Sequence, residues 1–379
     1  MAAPKILYLV TEDWYFHMHW LQLATAVREA GYQVTVVTRV NAHGDSIRRQ
    51  GLQVLPLNLP RSARYPWRDL KALINLIRIY RRERPAVVHH LALKPVVVGS
   101  IAAYRSGISV VVNSLPGLGY VFSSRQLRAR WLRMAVVCAL CLLRKRMQAW
   151  TIFQNPDDFA VLRATGVVSM DMASVIRGAG VDLVKFRPGP EPAGPPVVIL
   201  ASRLLWDKGV LEFVTAARSL HKGGVVARFV LVGDTDPDNP QAVPQEQLQS
   251  WHQEGHVEWW GRREDMPEVF RAAHIVCLPS YREGLPTVLL EAAAAGLPIV
   301  TTDAPGCREV VRHGENGFLV PVKDAAALTQ ALRELLANAD LRRAMGARGR
   351  KIAEQEFSSQ RVARETLALY GRLLSSEGS

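Results

Sequence analysis

Glu283 and Glu291 lie in LPSYREGLPTVLLEAAAAGLPIV, a stretch that reads as strand, loop and helix. Pro286 and Thr287 suit the first turn of that helix, whose leading N–H groups have no partner inside it. Such a helix start favours an anion such as a diphosphate. Glu291 is four residues beyond Thr287, about 6 Å along the axis. That spacing brings it within reach of a ribose beside a docked diphosphate, while Glu283, before the helix, faces a sugar beyond the diphosphate. The alternative is an ordinary strand–loop–helix unit with two surface glutamates. Upstream, ASRLLWDKGV places Arg203 and Lys208 on a loop after another strand. Arginine offers a planar fork for phosphate and lysine a point charge. Together they can neutralise a diphosphate leaving group, or they are two solvated cations.

These loops need strands to hold them. KILYLVT, QVTVVTR, AVVHHLAL and SVVVNSL in the first half, and PVVILAS, RFVLVGD, HIVCLPS and PIVTTD in the second, are continuous apolar runs separated by amphipathic helical patterns. That alternation predicts parallel sheets covered on both faces, in two doubly wound α/β domains. The segment FRPGPEPAGPP, Phe186 to Pro196, is too rich in breakers for a packed element and marks the boundary. We expect an N-terminal domain over 1–188, a second over 189–356, and a final helix over 357–379 that crosses back to the first. Ligands of doubly wound sheets bind outside the carboxyl ends of strands, which is where both charged loops fall.

Composition narrows the function classes. The chain has 379 residues, 49% of them hydrophobic and 21% charged, which excludes a disordered protein. Through Pro188 there are 26 Lys and Arg against 10 Asp and Glu, a charge of +16, whereas the remainder carries −3. A basic first half suits anionic lipid, a diphosphate-bearing substrate or nucleic acid. Nucleic-acid binding would call for aromatics interleaved with basic residues on a strand platform, and none appears. Four cysteines are too few for a disulfide framework and fit a reducing compartment. The run Ile6 to Val10 is too short for a secretory h-region and reads as a buried strand. The longest uncharged apolar run, Met134 to Leu143, would cover about 15 Å as a helix, half of the roughly 30 Å of a bilayer core.

Around that run, Arg125, Arg128, Arg130 and Arg133 precede the apolar centre and Arg144, Lys145 and Arg146 follow it. Basic flanks on a short apolar helix suit an interfacial anchor, with Arg61, Arg64, Trp67 and Arg68 extending the surface. The alternative is a buried helix with charged ends. Cys138-x-x-Cys141 has zinc-like spacing but no second pair and reads as packing. Asp234-Thr235-Asp236 reads as a turn rather than a metal site, and Gly117-Leu118-Gly119 is too short for a dinucleotide fingerprint.

The order of SRLLWDKG, PSYREGLPTVLLEA, GCREVV and HGENGFLVP resembles the retaining GT-B fold glycosyltransferases of family 4, with a Glu-x7-Glu pattern at Glu283 and Glu291. VVHHLALKP, NSLPGLGYVF and FQNPDD are similar to the bacterial subgroup that adds sugars to polyprenyl-diphosphate-linked intermediates. The resemblance implies two Rossmann-like domains and retaining transfer of a sugar, an N-acetylhexosamine among the candidates, from a nucleotide diphosphate sugar such as a UDP-sugar to a lipid-linked glycan. It implies that Arg203 and Lys208 bind the donor diphosphate, that Glu283 contacts the transferred sugar, and that Gly284, Leu285, Pro286 and Thr287 meet sugar and phosphate. Glu291 would bind the ribose. No metal or cofactor is expected, and the enzyme would sit on the inner face of the cell membrane. The acceptor side is expected at His19, Lys94, Asn113, Gly117, Gly119 and Asn155. His19 is expected at the start of the first helix, where a surface histidine is the alternative. Asn155 and Asp158 have helix capping as theirs, and Lys94 has simple solvation. Two departures stand out. TEDWYFHMHW lacks the glycine pair many relatives carry there, and Asn113 stands where many place a histidine. A nucleotide-sugar epimerase of the same fold is the rival enzyme.

Overall fold

The structure, a computed structural model, describes residues 3–60, 66–118, 122, 126–144, 147, 149–236 and 239–376. It divides into two units, Met1–Ala179 with Ser359–Ser379, and Gly180–Ser358. The first unit ends ahead of the boundary expected at Pro188, and the proline-rich Phe186 to Pro196 segment belongs wholly to the second.

In the first unit β1 (Lys5–Glu12), β2 (Gln33–Arg39), β3 (Gln53–Pro56), β4 (Val87–Leu91), β5 (Val111–Leu115), β6 (Ala149–Phe153) and β7 (Ala173–Val175) form one sheet in the order β3-β2-β1-β4-β5-β6-β7. All neighbours are parallel. In the second, β8 (Val197–Ala201), β9 (Arg228–Val232), β10 (Glu258–Trp259), β11 (Ile275–Leu278), β12 (Ile299–Thr302) and β13 (Gly317–Val320) run β10-β9-β8-β11-β12-β13, again all parallel. Helices cover both faces, so the strands are buried on both sides and read as continuous apolar runs. The strand order reverses beside β1 in one sheet and beside β8 in the other. These reversals open the crevices in which doubly wound sheets take ligands.

The final helix, Ser359–Ser375, packs on the first unit against the Leu21–Glu29 helix, burying Val362, Leu369 and Tyr370. The Tyr370 hydroxyl lies 3.1 Å from that of Tyr8 and 2.5 Å from His89 Nδ1, and His89 Nε2 reaches Ser114 Oγ at 2.6 Å. Burial pushes His89 down to about 3, so the ring is neutral and works as a donor–acceptor relay inside the core. Removing the hydroxyl strands buried partners on two strands. Tyr370→Phe is expected to cost on the order of 1–3 kcal/mol. Urea denaturation checks this, with Tyr104→Phe, a surface tyrosine 41% exposed, as the neutral control.

Candidate functional site

The crevice of the second unit is built by the loops after β8 and β11, the two strands at the order reversal. After β8 the chain makes a single turn of 3-10 helix, Trp206–Lys208, and then Gly209 adopts φ +73°. A Cβ on Gly209 would lie 2.2 Å from the Pro279 carbonyl oxygen at the end of β11. Only glycine permits that left-handed geometry and that approach together. The Asp207 carbonyl accepts from the Tyr281 N–H at 2.8 Å and from the Ser280 hydroxyl at 3.1 Å, locking the two loops together. As a result Lys208 Nζ and Glu283 Oε1 meet at 2.5 Å, with 16% and 13% of their side chains exposed.

A second glycine holds the other side of Glu283. The Glu283 N–H donates to the Pro305 carbonyl at 3.0 Å, and a Cβ on Gly306, at φ +79°, would lie 2.6 Å from the carbonyl oxygens of Glu283 and Gly284. Cys307 follows, buried, with its thiol pushed up to about 12 chiefly by burial and further by the Glu283 carboxylate. Arg203 Nη1 pairs with Asp236 Oδ2 at 2.8 Å and is half exposed. Asp234 holds the same loop through its carbonyl, which accepts the Leu204 N–H at 2.9 Å. Asp236 is thus the counter-ion of Arg203, and no group of three metal-ligating side chains occurs among the described residues.

Three contributors are not evident from sequence reasoning: Asp207, Gly306 and the pair Tyr281–Glu212. Asp207 has a buried Oδ1 with no hydrogen-bond partner, and burial raises its carboxyl against the pull of Lys208. The Tyr281 hydroxyl donates to Glu212 Oε1 at 2.7 Å, and Lys323 lies 4.9 Å over its ring. Glycine before a helix in GCREVV was the signal available for Gly306; the other contacts join distant segments.

The helix Thr287–Ala294 has Pro286 as its extended N-cap, and Leu285 is buried beneath it. Glu291 lies one turn in, partly buried, with no side-chain hydrogen bond or ion pair among the described residues. Burial pushes its carboxyl up to about 8, partly offset by Lys185. The native state therefore holds this proton at pH values where the unfolded chain, with an ordinary carboxyl near 4.5, has lost it. Its stabilising contribution is complete below about 4.5 and is lost as pH rises through 8. Glu291→Gln, neutral at every pH, is expected to be more stable than the parent above pH 8 by on the order of 2 kcal/mol, with the gap closing toward pH 5. Thermal melts across that range test it.

Of the expected acceptor residues, Lys94, Asn113, Gly117 and Asn155 lie at or near the carboxyl ends of the adjacent strands β4, β5 and β6. His19 ends the helix Asp13–His19 rather than starting one, and its ring lies 4.8 Å from Tyr15. The chain passes from β1 directly into that helix, so the glycine-free TEDWYFHMHW leaves no loop there. Instead Asp13 Oδ2 accepts the backbone N–H groups of Asn41 and His43. Lys94 pairs with Asp69 at 2.8 Å. Asn113 lies within β5, buried, with Oδ1 2.8 Å from His90 Nδ1, while His90 Nε2 meets the Tyr80 hydroxyl at 3.0 Å. Asn155 is fully buried as the N-cap of Pro156–Ala164, accepting the Asp158 N–H at 2.7 Å. Capping, the alternative weighed above, is the geometry found. Gly117 is half-buried beyond β5, and Gly119 lies outside the described residues.

The helix Leu127–Arg144 packs on Leu93–Ser106 but leaves Leu127, Trp131, Met134 and Leu142 exposed at helical spacing. A buried helix is excluded. Arg130 and Arg144 are exposed beside that stripe, while Arg61, Arg64, Arg125, Lys145 and Arg146 lie outside the described residues. Cys138 is exposed rather than packed, and Cys141 is half-buried, 3.9 Å from the Thr165 carbonyl. Among the described residues no helix is long and apolar enough to cross a membrane.

Residues 184–352 match the Glycosyl transferases group 1 family, and residues 5–146 the Glycosyl transferase 4-like family. The chain is 28% identical to the N,N'-diacetylbacillosaminyl-diphospho-undecaprenol alpha-1,3-N-acetylgalactosaminyltransferase of Campylobacter jejuni, covering 93% of this chain and 95% of that one. It is 27% identical to the UDP-Gal:alpha-D-GlcNAc-diphosphoundecaprenol alpha-1,3-galactosyltransferase of Escherichia coli over 70% of each. Among solved structures, Anabaena HepE in complex with UDP and glucose superposes with a TM-score of 0.79 at 20% identity, covering 97% of this chain and 99% of that one.

Proposed function

The chain belongs to the glycosyl transferases of group 1, joined to a glycosyl transferase 4-like domain, and from that premise we propose that it moves a sugar from a UDP-sugar to a polyprenyl-diphosphate-linked glycan with retention of configuration. The observation that carries this reading is the meeting of Lys208 and Glu283 at the order reversal of the second sheet. Both flank the crevice where a doubly wound sheet takes a nucleotide.

In that reading the departing diphosphate gathers negative charge, and Lys208 and Arg203 meet it. Glu283 orients the Lys208 ammonium before any ligand arrives, so little reorganisation is needed as charge develops. The carboxylate itself lies beside the transferred sugar and accepts from its hydroxyls. Gly284 to Thr287 bring backbone and helix dipole to the sugar and phosphate. Glu291, partly buried and without a hydrogen-bond partner among the described residues, is suited to the two ribose hydroxyls. Catalysis rests on leaving-group stabilisation and positioning. The names of the Campylobacter and Escherichia relatives support an undecaprenol-diphosphate acceptor, and the Escherichia name and the UDP bound to HepE support the base. The test is a product assay with UDP-sugars and a polyprenyl-diphosphate glycan. Glycan extended by one sugar, and formed only with acceptor present, is expected. Donor epimerised or hydrolysed without acceptor would establish the epimerase instead.

The lipid-linked acceptor calls for a membrane surface, and the exposed stripe Leu127, Trp131, Met134 and Leu142 with Arg130 and Arg144 suits an interfacial helix on the inner leaflet. The protein is expected to sediment with vesicles containing anionic lipid and to detach as salt is raised. Trp131→Glu is expected to abolish sedimentation; recovery in the supernatant regardless of vesicles would refute the anchor.

A further inference from the structure

At the opposite edge of the second sheet, where β11 and β12 begin, lies a cavity of about 190 Å³. A water needs about 10–15 Å³ of such space, so the cavity has room for on the order of a dozen. His274 immediately precedes β11 and Pro298 immediately precedes β12, both in its wall. Glu283 follows the far end of β11, roughly 15 Å away at about 3.3 Å per residue. The cavity is therefore distinct from the Lys208–Glu283 pair, and its nearest approach to that crevice is at Glu291, four residues before the lining Ala295 and within electrostatic reach of Lys185.

Its chemistry is lopsided. Lys185, Arg187, Arg271, Arg342 and Arg343 line it against a single carboxylate, Glu191. Arg342 is a fixed cation, 8% exposed, with Nε on Glu191 at 2.6 Å and Nη1 on the carbonyls of Leu335 and Leu336 at 2.8 and 3.1 Å. That one carboxylate is already committed to it, with Arg343 3.7 Å from the other oxygen. Arg271 is paired outward, to Glu268. Lys185 and Arg187 are exposed and have no ion pair among the described residues, although the Lys185 ammonium lies 5.4 Å over the Phe186 ring and acts at longer range on the Glu291 carboxyl. His274 adds no charge: its Nδ1 accepts the Val197 N–H at 3.0 Å while Nε2 faces the Pro192 carbonyl at 3.1 Å, which fixes the neutral tautomer. The floor is apolar, with Phe186 and Phe270 edge to face at 5.7 Å and Leu297 beside them.

A basic mouth over an apolar floor takes a ligand with an anionic head and a less polar body. We propose that this cavity is a second binding site, for the phosphate group and ring of a small sugar phosphate, with Lys185 and Arg187 as the phosphate's cations and the Phe186–Phe270 floor under the ring. It does not depend on the reading of the Lys208–Glu283 crevice.

Calorimetric titration of the full chain with a hexose 6-phosphate tests it, alongside the free hexose and inorganic phosphate as separate arms. One saturable site per chain is expected, retained in the presence of saturating UDP and in Lys208→Ala. Lys185→Ala with Arg187→Ala is expected to weaken it on the order of tenfold or more, as loss of charge-assisted contacts does. Both residues are exposed, so a fold change is not built into that variant; matching melts confirm it. Binding that vanishes with UDP or in Lys208→Ala, or that survives the double substitution, overturns the proposal. So does no saturation by about 20 mM, near the weak limit of specific sites. Equal affinity for inorganic phosphate overturns the role of the ring and floor.

Discussion

Lys208→Ala is expected to lower turnover on the order of 100- to 1,000-fold, the usual loss when one preorganised electrostatic donor is removed. The reason lies in how Lys208 is held. Its ammonium is mostly shielded and 2.5 Å from Glu283, on a turn fastened to the end of β11 by the Asp207 carbonyl. A cation fixed this way acts on charge that grows during bond cleavage, so kcat falls while the donor KM changes little. Lys208→Arg should not restore the rate, because a planar fork cannot occupy the place of a point charge between Asp207 and Glu283. Arg203→Ala is expected to cost less, since its guanidinium is half exposed and shared with Asp236. Activity is expected to survive exhaustive chelation. Abolition by EDTA with recovery on adding Mg²⁺ or Mn²⁺ would show that a metal carries the departing charge, and an unchanged kcat in Lys208→Ala would remove the residue from the mechanism.

Gly209→Ala is expected to destabilise the second unit by about 2–4 kcal/mol and to lose most of the activity. The left-handed φ of +73° costs an alanine about 1 kcal/mol, and the new Cβ would sit 2.2 Å from the Pro279 carbonyl oxygen, a backbone atom of β11 that cannot swing aside. Relief must come from parting the two loops. A displacement of about 1 Å at the reacting centre is enough for a 100-fold loss. Gly224→Ala is the control, because Gly224 has φ +76° with nothing within 4 Å. It shares the backbone strain and lacks the collision, so the difference between the two variants isolates the close approach. Comparable denaturation midpoints for both would remove crowding from the explanation.

Continuous β-branched runs made eight strands legible, among them β1, β4, β8 and β11, which flank the two reversals. Most of the five strands that escaped are short or interrupted, the exception being β6, AWTIF, which is as long as β4. β10 has two residues and β7 three, too few for periodicity to register. β13 opens on Gly317, which reads as a breaker; in the structure a Cβ there would lie 2.0 Å from the Ile299 carbonyl oxygen, so the glycine is what lets β13 pair with β12. Lys208 and Glu283 were legible because their loops follow recognisable strands. Gly306 and Asp207 were not, since their importance is a contact with another segment, 23 residues away at Glu283 for Gly306 and 73 away at Ser280 for Asp207. In the first unit polar type was a poor guide. Asn113 and Asn155 look like ligand contacts in isolation, yet one is bonded to a core histidine and the other caps a helix, partnerships visible only once the strands are assembled.

The return of the Ser359–Ser375 helix to the first unit has a consequence for how the protein is made. Tyr8 leaves the ribosome 362 positions ahead of its partner Tyr370. At about 5–20 residues per second, the Gly180–Ser358 stretch alone takes roughly 10–35 s to synthesise. Throughout that interval the nascent first unit keeps an apolar groove on its Leu21–Glu29 helix and unsatisfied hydroxyl and imidazole groups at Tyr8 and His89. The second unit, continuous in sequence, can close as soon as Ser358 clears the exit tunnel. The domain begun first is thus the one completed last, and nascent chains stalled short of Tyr370 are the species a chaperone would be expected to hold.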